Sequence, residues 1–262
     1  MKQLAILIPV YNNQAGLLRT LKSLEQAEGA FDIVIVDDGS SPTIQVPRST
    51  DARRIELLRL ETNAGIAVAL NSGLRFILLN GFRYVGRLDA GDTVAEDRFE
   101  RQLAFMDSNP DHAVVSSFVD FVDGSNKLLF RFRAPSEHKH ILRRMHVNSC
   151  VMHPGSMLRA SALREAGLYR EDVPNAEDYE LFLRLGKRYK LAVIPRVLTS
   201  MEYSPRGISV VGRRLQQVQR LKLQLRHFDP LSPFSFYGIA RTIIALLTPE
   251  RMVLRFKQAC LR

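Results

Sequence analysis

Tryptophan is absent from the 262-residue chain and cysteine occurs twice. Cys150 and Cys260 lack the spacing of a metal knuckle. That excludes a disulfide-stapled scaffold and favours two free thiols in a reducing cytoplasm. Acids are in deficit, with 27 Asp and Glu against 37 Lys and Arg, a formal net charge of +10. No internal repeat and no low-complexity segment interrupts the chain. The opening "MKQLAILIPVYNN" is not expected to be a secretory leader, because its apolar run is short, ends at Pro9 and lacks a small-residue cleavage site. It reads as a first strand.

What is present is an ordinary globular composition, 46% hydrophobic and 24% charged, with material for one large domain and an appendage. The positive charge is confined. From Ser204 onward eleven Lys or Arg face only Asp229 and Glu250, so +9 of the +10 lies in the last 59 residues. A near-neutral body with a basic tail argues against a nucleic-acid binder, which would spread its charge over a binding face.

In the first half, short apolar runs alternate with amphipathic segments. "LAILIPV", "FDIVIVDD", "RIELLRL" and "FRYVGRLD" read as strands. Gly16–Ala27, "GIAVALNSGLRFILLNG" and Glu96–Met106 read as helices, the first with Leu17, Leu18, Leu21 and Leu24 on one face. This alternation predicts an α/β fold with a mostly parallel central sheet and flanking helices. Ligands bind such sheets beyond the carboxyl ends of the strands. "YNN", "DDGSS" and "LDAGD" each follow a strand and so fall on one rim. Further on, "HAVVSSFVDFVD" and "KLLFRFR" suggest two more strands, and Ala176–Tyr189 a helix.

Each polar cluster has a structural reading beside its chemical one. Asp37 and Asp38 end a buried strand, where Asp-Gly-Ser turns are common; a carboxylate there also accepts from a uracil imide or a ribose hydroxyl. Asn63 and Gly65 stand at a helix start, either as a plain cap or as an anion site. Asp89 and Asp92 suit a divalent cation shared with phosphate oxygens, and Asp92 equally suits a helix cap. Glu177 and Asp178 open a helix whose dipole attracts acids, and paired carboxylates also make a general base. His153 precedes a Pro-Gly turn and in isolation is an ordinary histidine. No Ser-His-Asp or Cys-His pattern is evident.

Taken in order, "LIPVYNN", "IVDDGSS", "NAGIAVALNSGL", "VGRLDAGD", "DRFERQLAFMDSNPD", "HPGSMLRASAL" and "NAEDYELFLRL" resemble the family 2 glycosyltransferases from about Leu4 to Ser209. Each motif is weak alone; the ordered set is specific. The resemblance implies the GT-A (nucleotide-diphospho-sugar transferase) fold and an inverting sugar transfer, of the bacterial type that builds lipopolysaccharide, capsule or exopolysaccharide. It divides the chain into a catalytic domain, 1–209, and a C-terminal helical extension, 210–262.

Residue by residue, the resemblance puts Pro9 and Tyr11 in the nucleotide pocket, with Asp38 on uracil or ribose and Asp37 beside it. Asn63, Gly65 and Asn71 close over the nucleotide, and Arg87 faces the diphosphate. Asp89 is the first carboxylate of the metal motif. Asp178, paired with Glu177, is the base that deprotonates the acceptor, and His153 faces the diphosphate or metal. The donor is a nucleotide-diphospho-sugar, a UDP-sugar first, and the acceptor a glycan or lipid-linked glycan. Mn²⁺ or Mg²⁺ is the implied cofactor. One departure stands out: many relatives carry a metal-binding carboxylate where this chain has Gly91. Asp92, a water or His153 then fills the position, or Arg87 replaces the ion. A silent nucleotide-sugar binder is the alternative that this gap allows, and a nucleotidyltransferase lacks its Gly-rich, basic N-terminal loop here.

In the tail, "GRRLQQVQRLKLQLRH" places Leu215, Val218, Leu221 and Leu225 on one stripe with five Arg or Lys. The apolar segment after it is broken by Arg241 and Pro249 and is too short to span a bilayer. Two readings stand: helices packed on the core, or an interfacial helix on anionic lipid. The second implies a cytoplasmic enzyme peripheral to the inner face of the membrane.

Overall fold

The computed structural model describes residues 2–47, 49, 53–203 and 212–248. Strand β1 (Leu4–Val10) is buried along its whole length, as a run of seven apolar residues requires of a central parallel strand. Parallel neighbours β2 (Asp32–Asp37) and β4 (Tyr84–Arg87) flank it, and β3 (Ile55–Arg59) extends the sheet beyond β2. Helix α1 (Gln14–Glu25) connects β1 to β2 and buries Leu17, Thr20, Leu21 and Leu24; Leu18, expected on that face, is half exposed. Helix α2 (Ile66–Leu79) returns the chain from β3 to β4 and ends at Gly81, whose φ of 75° suits glycine.

The second half departs from parallel order. Beyond β4 come β8 (Met157–Arg159), antiparallel to it, then β6 (His112–Val122), then β9 (Lys190–Glu202), with β5 (Thr93–Val94) on the outer edge. Strand β7 (Leu128–Phe132) pairs with β6 alone. The parallel character is therefore that of the first four strands, while the second half is mixed. Helix α3 (Arg98–Ser108) lies between β5 and β6. Helices α4 (His138–Met145), α5 (Ala160–Ala166) and α6 (Glu177–Gly186) complete the body.

The 13-residue β9 escapes sequence reading because "KLAVIPRVLTSME" carries Pro195 and Arg196 at its centre. Its pairing with β6 steps from Ser117–Ile194 to Phe118–Val197, so Pro195 and Arg196 form an exposed bulge outside the ladder. A proline that donates no ladder bond is tolerated there.

In the extension, α7 (Arg213–Arg226) and α8 (Pro233–Leu247) pack on each other. The expected apolar stripe of α7 is not its buried face. Gln219, Leu223 and Gln224 are inward, whereas Leu215 and Leu225 are exposed. The anchor is polar: Gln224 Nε2 donates to the carbonyls of His146 and Val147, both at 3.1 Å. No helix among the described residues is long and apolar enough to cross a membrane.

Candidate active site

The carboxyl ends of β1, β2 and β4 open on one rim, and side chains sew its loops together. Asn12 bridges to the second loop, its N–H donating to Ser40 Oγ and its Oδ1 accepting from the Ser41 N–H. Asn13 caps α1 by accepting from the Gly16 N–H, and its Nδ2 donates to the Ala90 carbonyl at 2.8 Å. Thr20, in the second turn of α1, accepts the Gly91 N–H at 2.9 Å and donates to the Asp92 carbonyl at 2.7 Å. Gly91 itself has φ = 117°, a conformation that a carboxylate-bearing residue would adopt only under strain. The gap in the acidic motif is thus a requirement of this turn.

Asp37 and Asp38 are adjacent and do different work. Asp37 is wholly buried, accepting from Ser40 N at 2.9 Å and pairing with Arg59 at 2.5 Å. Burial alone would raise its pKa, but the bonds from Ser40 and Ile44 and the Arg59 charge hold it below the usual carboxylate range. Asp38 accepts from the N–H groups of Ala64 (2.8 Å) and Gly65 (3.0 Å) and from Asn63 Nδ2 (3.2 Å). The amides that an anion could use at the start of α2 are therefore partly satisfied by Asp38. Pro9 is buried within β1 opposite Val36, and Tyr11 stands half exposed on the rim. Asn71 is buried in α2 and binds both the N–H and the carbonyl of Tyr169, along with Glu171. It holds the loop after α5 in place.

Over the end of β4 the second half contributes its own groups. Arg87 is 2% exposed, and its Nη2 pairs with Asp89 at 2.5 Å. Its Nε and Nη1 have no partner among the described residues. Two buried, unsatisfied N–H donors on a guanidinium form a local demand for an anion. His153, in a 3-10 turn, shares a 2.6 Å hydrogen bond with the Tyr169 hydroxyl. Burial and the Arg87 charge push its pKa well down, so the imidazole is neutral.

At the start of α6, Glu177 is buried with Oε2 unpartnered, and Asp178 is half-buried, accepting the Tyr179 N–H at 2.7 Å. Burial and the neighbouring Asp178 push Glu177 up to about 7, and burial raises Asp178 too. The Arg87 and Asp89 charges act on both acids. Sequence-distant groups thus share one electrostatic neighbourhood.

The metal set does not assemble as a protein cage. Asp89 is the accessible member, its side chain 40% exposed. Asp92 is buried and turned to the Glu202 N–H at 3.3 Å, and it caps no helix; burial and Asp89 raise its pKa well above normal. One ring nitrogen of His153 is engaged by Tyr169. Among the described residues no three His, Cys, Asp or Glu group to hold an ion. One carboxylate remains, which suits a cation carried mainly by phosphate oxygens.

Sequence reasoning missed Thr20, Tyr169 and Arg98. Arg98 is fully buried and donates to the Arg87 carbonyl at 2.9 Å and to Gln102 Oε1 at 3.1 Å; burial lowers its pKa to about 9. Its helical spacing with Gln102 and Met106, all inward, was the available sign. Nothing in "GLYR" marks Tyr169.

Residues 5–167 match the family model described as glycosyl transferase family 2. The amylovoran biosynthesis glycosyltransferase AmsE of Erwinia amylovora is 28% identical over 95% of this chain and 96% of its own. An uncharacterized glycosyltransferase of Methanocaldococcus jannaschii, MJ1057, is 24% identical over 94% and 89%. Among solved structures, S. aureus TarS 1-349 in complex with UDP-GlcNAc superposes with a TM-score of 0.69 at 16% identity, covering 92% of this chain and 71% of that one. Mannosyltransferase PcManGT from Pyrobaculum calidifontis, in complex with GDP-Man and Mn²⁺, gives 0.63 at 16%, covering 99% and 80%.

Proposed function

Because the chain belongs to glycosyl transferase family 2, we propose that it moves a sugar with inversion from a nucleotide-diphospho-sugar, a UDP-sugar first, to a glycan or lipid-linked glycan. The setting is cell-envelope polysaccharide synthesis at the cytoplasmic face of the membrane. The relative that acts in amylovoran biosynthesis supports the polysaccharide setting, and neighbours holding UDP-GlcNAc and GDP-Man support the donor class.

The observation that carries the reading is the pairing of opposite demands at the end of β4. Arg87 presents two orphan donors, and the Glu177–Asp178 pair stands within its field with raised pKa values. A carboxylate whose surroundings raise its pKa is a stronger base than an exposed one. Asp178, the more exposed of the two, takes the proton of the acceptor hydroxyl as that oxygen attacks the anomeric carbon. The bond to the diphosphate breaks on the opposite face, and Arg87 stabilises the charge that collects on the leaving oxygen. Asp38 and the Asn63–Gly65 loop, with Tyr11 above, form the nucleotide side. A divalent cation arriving with the donor would be held on the protein side by Asp89 and would supply positive charge at the diphosphate.

A thermal-shift panel of UDP-, GDP- and dTDP-sugars with and without Mn²⁺, followed by transfer assays, tests this reading. One donor class should raise the melting temperature, and Asp178→Asn should retain that shift while losing transfer. Stabilisation without any turnover by the native chain would leave a nucleotide-sugar binder in place of an enzyme.

A further inference from the structure

Helix α8 is inside out. Its buried residues are Ser235, Gly238 and Thr242, while Phe234, Phe236, Tyr237, Ile243, Ile244 and Leu247 face outward. A helix docked on a water-soluble body turns its apolar stripe inward. The cause is the surface beneath. The backbone at His146–Val147 passes so close that a Cβ on Gly238 would lie 2.1 Å from the His146 carbonyl oxygen. Ser235 Oγ meets His146 Nδ1 at 2.9 Å. Only small residues fit that contact, and the large apolar ones are left on the far side. Ile244 is 65% exposed, Leu247 78%, and Leu231 just before the helix 91%. An apolar patch of this kind marks a contact with something other than water.

The charge around the patch identifies its partner. From Gly212 to Thr248, six Arg or Lys face one acid, Asp229. Arg241 stands exposed among the outward apolar residues. A cleft of about 240 Å³ lies where the start of α7 meets the end of α8, with Arg213, Arg214 and Gln217 on one wall and residues 245–248 on the other. A cationic wall against an apolar one matches a phosphate headgroup above its acyl chain. A symmetric second copy would bring this basic surface against itself, at a cost in like-charge repulsion. Residues 249–262 lie outside the described residues; by sequence they add Arg251, Arg255, Lys257 and Arg262 against Glu250.

We infer that α8 and the arginine cleft beside it seat the protein on an anionic lipid bilayer, the outward face of α8 lying at the headgroup–acyl boundary. Fifteen residues reach roughly 22 Å, enough to lie in the interface but not to span it. The surface rests on the proposed lipid-linked acceptor only for its purpose; its physical basis is independent of the chemistry.

The test is flotation of the full chain, without donor or acceptor, on neutral phosphatidylcholine vesicles and on vesicles with about a third phosphatidylglycerol. Binding should be at least tenfold stronger on the anionic vesicles and should fall in about 1 M salt. Ile244→Glu with Leu247→Glu should reduce it at least tenfold. Arg213→Gln and Arg214→Gln should each reduce it about fivefold. All variants should melt as the parent does and keep the donor-induced thermal shift. Equal binding to both vesicle types, or variants that bind like the parent, would overturn the inference. So would a lipid-free dimer that Ile244→Glu converts to monomer, or a photo-crosslinker at position 244 that couples to residues 249–262. Loss of transfer activity with vesicle binding intact would fault the proposed function and leave this surface standing.

Discussion

Two sets of carboxylates belong to the two halves of the molecule, and they are treated in opposite ways. Asp37 and Asp38, on the parallel half, receive hydrogen bonds from backbone amides, Asn63 and Arg59. Glu177, Asp178 and Asp92, contributed by the second half and the β4–β5 turn, are desolvated, with raised pKa values and unpartnered oxygens on Glu177 and Asp92. The first set is part of what makes the rim rigid. The second is held short of partners, which costs stability and keeps basicity available.

Mutations can break this contrast, beginning with Asp178→Asn. Transfer should fall by about 10³-fold with little change in melting temperature, since a half-buried acid with a single hydrogen bond supports little of the fold. Asp37→Asn should do the reverse. It should destabilise the protein by about 3 kcal/mol in urea unfolding, because a buried charge pair loses one partner, while turnover per folded molecule holds. Arg87→Met should lower kcat by about 10²-fold with a smaller change in KM; an unchanged kcat in Mn²⁺ would transfer its role to the cation.

Smaller effects come from protons. The base Asp178 must be ionised and burial raises its pKa, so kcat/KM should rise with pH to a plateau, with an inflection above the ordinary carboxylate range. Glu177→Gln should leave that inflection in place, because the Asp178 charge raises Glu177 whereas burial raises Asp178. The same substitution sharpens the comparison in stability. A carboxyl whose folded pKa is raised from 4.5 to about 7 contributes stability at low pH that is lost as pH rises through that window. At pH 8 Glu177→Gln should therefore stabilise the fold, by about 1–3 kcal/mol in urea titration.

The parallel half was legible because its strands are continuous apolar runs and its loops are polar punctuation at strand ends. The rim positions of Tyr11, Asp38 and Asp89 could be read from that grammar, whereas the part given to Pro9 and Tyr11 in a nucleotide pocket came only from the family resemblance. The second half hides its structure in non-local pairing. Strand β9 reads as broken at Pro195 because a bulge is defined by its partner β6. The buried face of α7 is carried by Gln219, Leu223 and Gln224, which no hydrophobic periodicity selects, because the surface it meets is backbone carbonyl. Arg98, Thr20 and Tyr169 matter through contacts with Arg87, Gly91 and His153, which lie 11, 71 and 16 residues away along the chain.

Thr20 has one more implication. Its hydroxyl grips the turn that carries Asp89, while Asn13, about two helical turns earlier, grips the same turn from the helix N-terminus. Helix α1 therefore works as a splint: both of its grips close on residues 90–92, so the acidic turn is carried by a rigid helix and does not depend on its own loop conformation alone.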